Sequence, residues 1–120
     1  MLTHSDLPKP IADYIDATNN HDGAALAASF IEDAFVNDMQ REFFGRPAIK
    51  AWADKEIIGA KVTMEIVKAS THHGQVHVAA RIDGEYEKTG VPDPLILTFY
   101  FTLGEGGIAQ LIILHNKPAA

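Results

Sequence analysis

Ala34-Phe35-Val36-Asn37-Asp38-Met39 is a short, mostly apolar run that ends in a carboxylate. Side chains alternate across a strand, so Ala34, Val36 and Asp38 share one face. A charge on the face that its apolar neighbours use has two readings. Asp38 either turns the chain at a strand end and is solvated, or it stands at the floor of a pocket with a proton to move. Which elements could build such a pocket depends on what flanks the run.

On the N-terminal side, Pro8 and Pro10 hold an extended approach to a first helix. Ile11, Tyr14, Ile15 and Thr18 then fall at i, i+3, i+4 and i+7, one stripe of that helix. Asp13 and Asp16 lie off the stripe, and Asn19-Asn20 stops it. Asp22 is placed to cap a short second helix, with Leu26 and Phe30 as an i, i+4 pair. On the C-terminal side a third helix begins after Gly45-Arg46, with Pro47 at the first helical position, where a missing N–H costs nothing. Ile49, Trp52, Ala53, Glu56 and Ile57 form its inner stripe, Lys50, Asp54 and Lys55 its outer face, and Gly59 suits the cap beyond the last turn. Glu56 is therefore an acid on an apolar stripe, either reaching water at the helix end or pointing inward.

Beyond Gly59 the period changes from helical to two. Val62, Met64 and Ile66 alternate with Thr63 and Glu65. His72-His73-Gly74 reads as a turn, and Val76, Val78, Ala80 and Ile82 alternate with Gln75, His77 and Arg81. Residues 83–94 are rich in charge, Gly and Pro and read as a loop. Leu95 to Leu103 is a strand with Leu97, Phe99, Phe101 and Leu103 on one face, and Gly104-Glu105-Gly106-Gly107 is a hairpin turn. The last strand, Ile108 to Asn116, is apolar on both faces: Leu111 and Ile113 on one, Ile112 and Leu114 on the other. A strand buried on both sides needs cover on both. Helices on a single face of the sheet do not supply it, so the pattern predicts a homodimer. Helices first and strands after is an α+β order, and nothing divides residues 1–120 into more than one domain.

Composition narrows the function classes. The formal charge of -6 repels phosphate backbones, which argues against nucleic acid as a partner. There are no cysteines, so disulfides and thiolate chemistry are both absent. No apolar run approaches the roughly 18 residues of a membrane span, and the first residues lack the basic start and apolar core of a signal peptide. The expectation is a soluble cytoplasmic protein. His72, His73 and His77 form a turn pair plus one strand histidine with no obvious third ligand, so no metal site is expected. The Gly104–Gly107 run joins two strands and has no helix N-terminus to receive an anion.

The element order, with these residues, resembles the nuclear-transport-factor-2-like superfamily, and within it the SnoaL-like and ketosteroid-isomerase-like members. The resemblance runs from Ile11 to His115. It is densest across Tyr14, Asn19, Asp22, Phe30, Asp33, Ala34, Val36 and Asp38. Gly45-Arg46-Pro47-Ala48-Ile49-Lys50-Ala51-Trp52 is similar to the start of that superfamily's third helix. The resemblance implies a cone-shaped, cystatin-like α+β fold with three N-terminal helices on a curved, mostly antiparallel sheet. It implies a small-molecule pocket with Tyr14 as hydrogen-bond donor to a substrate oxyanion and Asp38 as general base.

The isomerase's second oxyanion donor, a protonated Asp, aligns with Thr98 or Phe99, and neither is an acid. A Thr hydroxyl can donate one hydrogen bond and Phe none. Losing such a donor costs on the order of 10²–10³ in rate, which argues against steroid isomerisation itself. His115 has the parity of Leu111 and Ile113, a position that lines the pocket in this family. It is the expected third catalytic group, or else a strand-end histidine. Trp52 would supply an aromatic wall with Glu56 beside it, and Phe30, Leu111 and Ile113 would complete an apolar lining. No Arg or Lys is expected on the stripes around Asp38, so its neutral form would be favoured.

One base and one donor around an apolar cavity suit proton abstraction next to a carbonyl, aldol cyclisation or dehydration, without metal or organic cofactor. The expected ligand is a small apolar or aromatic carbonyl compound. The alternative is a non-catalytic ligand-binding or dimerisation module of the same fold.

Overall fold

The first helix, α1 (Lys9–Asn19), carries its Pro10 in the first turn, where no backbone N–H is needed. The computed structural model describes residues 4–115. All four residues of the anticipated stripe, Ile11, Tyr14, Ile15 and Thr18, are buried. Asn19 does more than end the helix. Its side-chain amide donates to Met64 O at 3.0 Å, and its oxygen accepts from Met64 N at 2.7 Å. That clamp pins the end of α1 to the strand that Met64 belongs to.

Asp22 caps α2 (Gly23–Ala28) by accepting from Ala25 N at 3.0 Å. The helix is shorter than the Leu26/Phe30 pairing implies. Ser29 closes it, its hydroxyl donating to Leu26 O at 2.6 Å, and Phe30 opens β1 (Phe30–Asp38) instead. β1 turns directly into the four-residue β2 (Arg41–Phe44), an element that lacks any alternation in the sequence. Only then comes α3 (Arg46–Ala53). The chain therefore has two helices before the sheet and a third after its first hairpin; β1 lies between the second and third helices as its sequence implied, and β2 is the added element. α3 widens into one turn of π type over Asp54–Ile58. Gly59 remains at φ -63, in the helical region. It is Lys61, at φ 50, that takes the left-handed conformation.

The remaining strands are β3 (Thr63–His72), β4 (Gln75–Asp83), β5 (Leu95–Gly104) and β6 (Gly107–His115). Asn116, placed on the last strand by its sequence, lies outside the described residues. The six strands form one sheet in the order β2-β1-β6-β5-β4-β3. Every neighbouring pair is antiparallel except β1 and β6, which run parallel. A mixed sheet with three α-helices is an α+β architecture.

The faces follow the alternation in the sequence. Ala34 and Val36, Val76 and Val78, Phe99 and Phe101, and Leu111 and Ile113 are all buried on the helix-covered side. Tyr14 stands among them, with ring centroids 5.4 Å from Phe101 and 5.9 Å from Phe30. β3 is the exception. Its register slips between Ile66 and Lys68, so the buried positions change from Met64 to Ala69 and Val67 is left exposed. Among the described residues no helix is long and apolar enough to cross a membrane.

Candidate active site

β1 delivers Asp38 to its last position, and the chain reverses over Met39 and Gln40 to pair Asp38 with Arg41. Both turn residues have positive φ, 52 and 72. That is the mirror-image two-residue turn that matches strand twist, normally built with Asn and Gly. The tight turn sets Arg41 directly across from Asp38. Its Nη2 donates to Asp38 Oδ2 at 2.7 Å, and it grips Glu56 with two bonds, Nη1 to Oε2 at 2.8 Å and Nη2 to Oε1 at 2.5 Å. Glu56 arrives from the π turn after α3. One helical turn earlier, Trp52 donates its indole N–H to the same Asp38 Oδ2 at 3.1 Å.

Both donors therefore fall on one carboxylate oxygen. Among the described residues, Asp38 Oδ1 has no hydrogen-bond partner. The side chains grade outward: Asp38 is 16% exposed, Glu56 32% and Arg41 52%. The bonds to Glu56, opposed in part by desolvation and reinforced by Asp38, raise the Arg41 pKa above its ordinary value.

Behind this charged trio lies a cavity of about 120 Å³. Tyr14, Thr18, Trp52 and Phe99 line it together with Asp38 and Glu56. Ile57, Val62, Met64, Ile82, Leu97 and Ile113 make the apolar walls. Thr18 donates its hydroxyl to Tyr14 O at 2.9 Å and so spends its proton within α1. The Tyr14 hydroxyl is different: among the described residues it has no hydrogen-bond partner. Burial pushes its pKa well above the ordinary phenol value of 10.0, and the nearby Asp38 charge pushes the same way. Tyr14 is thus a protonated donor facing an apolar space.

Of the residues picked out in the sequence, Asp38, Tyr14, Trp52, Glu56, Phe99 and Ile113 meet at this cavity. Four others do not. Phe30 and Leu111 are core residues outside the lining, and Phe30 packs edge-on against Tyr14. Thr98 pairs with Ala79 and Leu114, out of phase with the lining residue Phe99, so it offers no second donor. His115 is exposed at the end of β6, paired with Leu97, and is not part of this cavity's lining. Strand parity set its face correctly but not the distance along the strand, and the lining on β6 stops at Ile113.

The larger correction concerns charge. A guanidinium stands against Asp38 where no cation was expected. Arg41 was missed because it lies on no apolar stripe. The available signal was the Asp38-Met39-Gln40-Arg41 spacing, which becomes a cross-strand pair once the turn is recognised. Among the described residues, no group of three or more His, Cys, Asp or Glu side chains is placed to hold a metal ion.

No protein-family model matches this sequence, and no curated protein does. Solved structures do. A Sinorhizobium meliloti protein, provisionally assigned as a polyketide cyclase, matches with a TM-score of 0.82 and 29% identity, over 94% of this chain and 100% of its own. A Catenulispora acidiphila protein with a ketosteroid-isomerase-like fold, solved with trimethylamine, matches with a TM-score of 0.75 and 19% identity, over 90% of this chain and 85% of its own. The epoxide hydrolase/cyclase-like enzyme SalBIII, which has a role in pyran-ring formation in salinomycin, gives 0.72 and 22% over 90% of this chain and 88% of its own. Element order, sheet topology and these matches together give the chain the nuclear-transport-factor-2-like fold and make it similar to polyketide-cyclase-like and ketosteroid-isomerase-like proteins.

Proposed function

We propose that this protein transfers a proton on a compact apolar carbonyl compound, as an isomerase, cyclase or dehydratase. One observation carries the reading: Asp38 and Tyr14 line the same small apolar cavity, and among the described residues neither Asp38 Oδ1 nor the Tyr14 hydroxyl has a hydrogen-bond partner. A carbonyl oxygen accepts from Tyr14, and Asp38 Oδ1 takes the proton from the adjacent carbon. The bonding pair moves onto the carbonyl oxygen as an enolate, which the Tyr14 hydrogen bond stabilises. The proton then returns to the same carbon or another, or the enolate attacks an electrophile within the ligand. Arg41 and Trp52 fix Asp38 through its other oxygen, so the base is oriented before the ligand arrives. Cyclase-type assignments among relatives of the same fold support the reaction class. His115, outside the cavity, has no part in it.

The test needs no knowledge of the natural substrate. Cyclohexanone exchanges its α-protons for deuterium in D2O, and NMR reads the rate. The wild-type protein is expected to accelerate exchange, and Asp38→Asn to abolish the acceleration. A general base is worth on the order of 10²–10⁴ in rate, so the loss would be unmistakable. Exchange no faster than in buffer would reduce the protein to a ligand-binding module of the same fold.

A further inference from the structure

We infer that the cavity selects an uncharged, single-ring ligand and rejects both fused-ring and carboxylate-bearing compounds. This rests on the reading of the cavity as a carbonyl site, and it concerns which carbonyl compounds fit there. Size sets the first limit on the ligand. An apolar cavity of about 150 Å³ takes one benzene, and this one is about 120 Å³. It is bounded by side chains of the core: Trp52, Phe99 and Ile113 are each nearly fully buried. Room for a second ring would have to come from moving packed groups, which close-packed interiors resist.

Charge sets the second. The mouth holds two carboxylates, Asp38 and Glu56, against one guanidinium. Among the described residues, Arg41 is the cation placed to receive an anionic ligand there, and both of its terminal nitrogens are committed to those acids. A ligand carboxylate would therefore meet two like charges and no free partner, in an apolar space that penalises an unpaired ion. A ligand cation would have to approach Asp38 beside the guanidinium already bound to it. An uncharged ligand with one acceptor oxygen meets no such conflict, and the unpartnered Tyr14 hydroxyl satisfies that oxygen. Fused-ring and acidic ligands are excluded by different features of the site.

Four probes separate the arguments: cyclohexanone, 2-decalone, cyclohexanecarboxylate and cyclohexylammonium, titrated by calorimetry or ligand-observed NMR against the wild-type protein. Cyclohexanone is expected to bind at least about tenfold more tightly than each of the other three, a gap of about 1.4 kcal/mol. In an Asp38→Asn/Glu56→Gln protein the mouth keeps Arg41 and loses both acids, so cyclohexanecarboxylate binding should appear where the wild type has none. Tighter binding of 2-decalone overturns the size argument. Equal or tighter binding of either ion by the wild type overturns the charge argument, and no binding of any probe overturns the inference whole. Selective cyclohexanone binding without α-proton exchange would retain the ligand class while removing the catalytic reading. Exchange accompanied by indifference to ring number or charge would do the reverse.

Discussion

Asp38 is held by one oxygen and, among the described residues, free at the other, and that asymmetry separates a base from a structural carboxylate. An ion pair this open to water adds little stability, on the order of 0–1 kcal/mol, so Arg41 is better understood as orienting Asp38 than as bracing the fold. Tyr14 gives the residue-scale prediction. Burial and the Asp38 charge raise its pKa above the phenol value of 10.0. Below that pH the phenol is neutral in both folded and unfolded chains, and its contribution is fully present. As pH rises past it, the unfolded chain releases the proton while the folded chain keeps it, so stability falls. Urea unfolding of the wild type should therefore lose midpoint between about pH 9 and pH 11, and Tyr14→Phe should lose less over the same interval. An equal loss in both proteins would mean that Tyr14 does not carry this pH dependence. The same substitution should slow α-proton exchange by about 10²–10³, the usual effect of deleting one oxyanion donor.

The hairpin between β1 and β2 is the element that makes the site, and it does so under strain. Met39 and Gln40 both adopt positive φ without being glycine, at a cost of roughly 1–2 kcal/mol per residue. The corresponding turn between β3 and β4 places Gly74 at its second position. Gln40→Gly should therefore stabilise the protein by about 0.5 kcal/mol, the relieved strain less the entropy glycine adds to the unfolded chain. Chemical denaturation would measure it, and a loss of stability would show that Gln40 makes a compensating contact.

This element also shows where the sequence was readable. α1 and α3 declared themselves by helical period, and β1 placed Asp38 on the buried face by alternation alone. β2 did not, because Arg41-Glu42-Phe43-Phe44 has neither alternation nor a glycine-marked turn before it. Its missing assignment concealed the Arg41 pair, which depends on register rather than on composition. Phe30 was misplaced for a related reason: an i, i+4 spacing is also met by chance at a helix–strand junction. His115 and Leu111 show the limit of parity, which names a face but not a position along it or a depth beneath it.

At the scale of the whole molecule, the sheet's uncovered face carries apolar side chains that none of the described residues buries. Leu114 is 39% exposed, and Ile112 beside it is half-buried. Thr98 and Tyr100 pair with them from β5. We expect this face to form a homodimer of roughly 1,200–2,000 Å² of buried surface, with Leu114→Asp driving it toward monomer. Light scattering on the wild type at tens of micromolar decides this, and a monomer there would refute the expectation.

The proposed proton transfer depends on two groups, Tyr14 and Asp38, acting on one ligand across a small apolar space. A crystal structure with cyclohexanone bound tests that most directly. The ketone oxygen should lie within about 3.2 Å of the Tyr14 hydroxyl, and an α-carbon within about 3.5 Å of Asp38 Oδ1, with Arg41 and Trp52 still on Oδ2. A ketone whose oxygen points away from Tyr14, or whose α-carbons cannot reach Asp38, would contradict it.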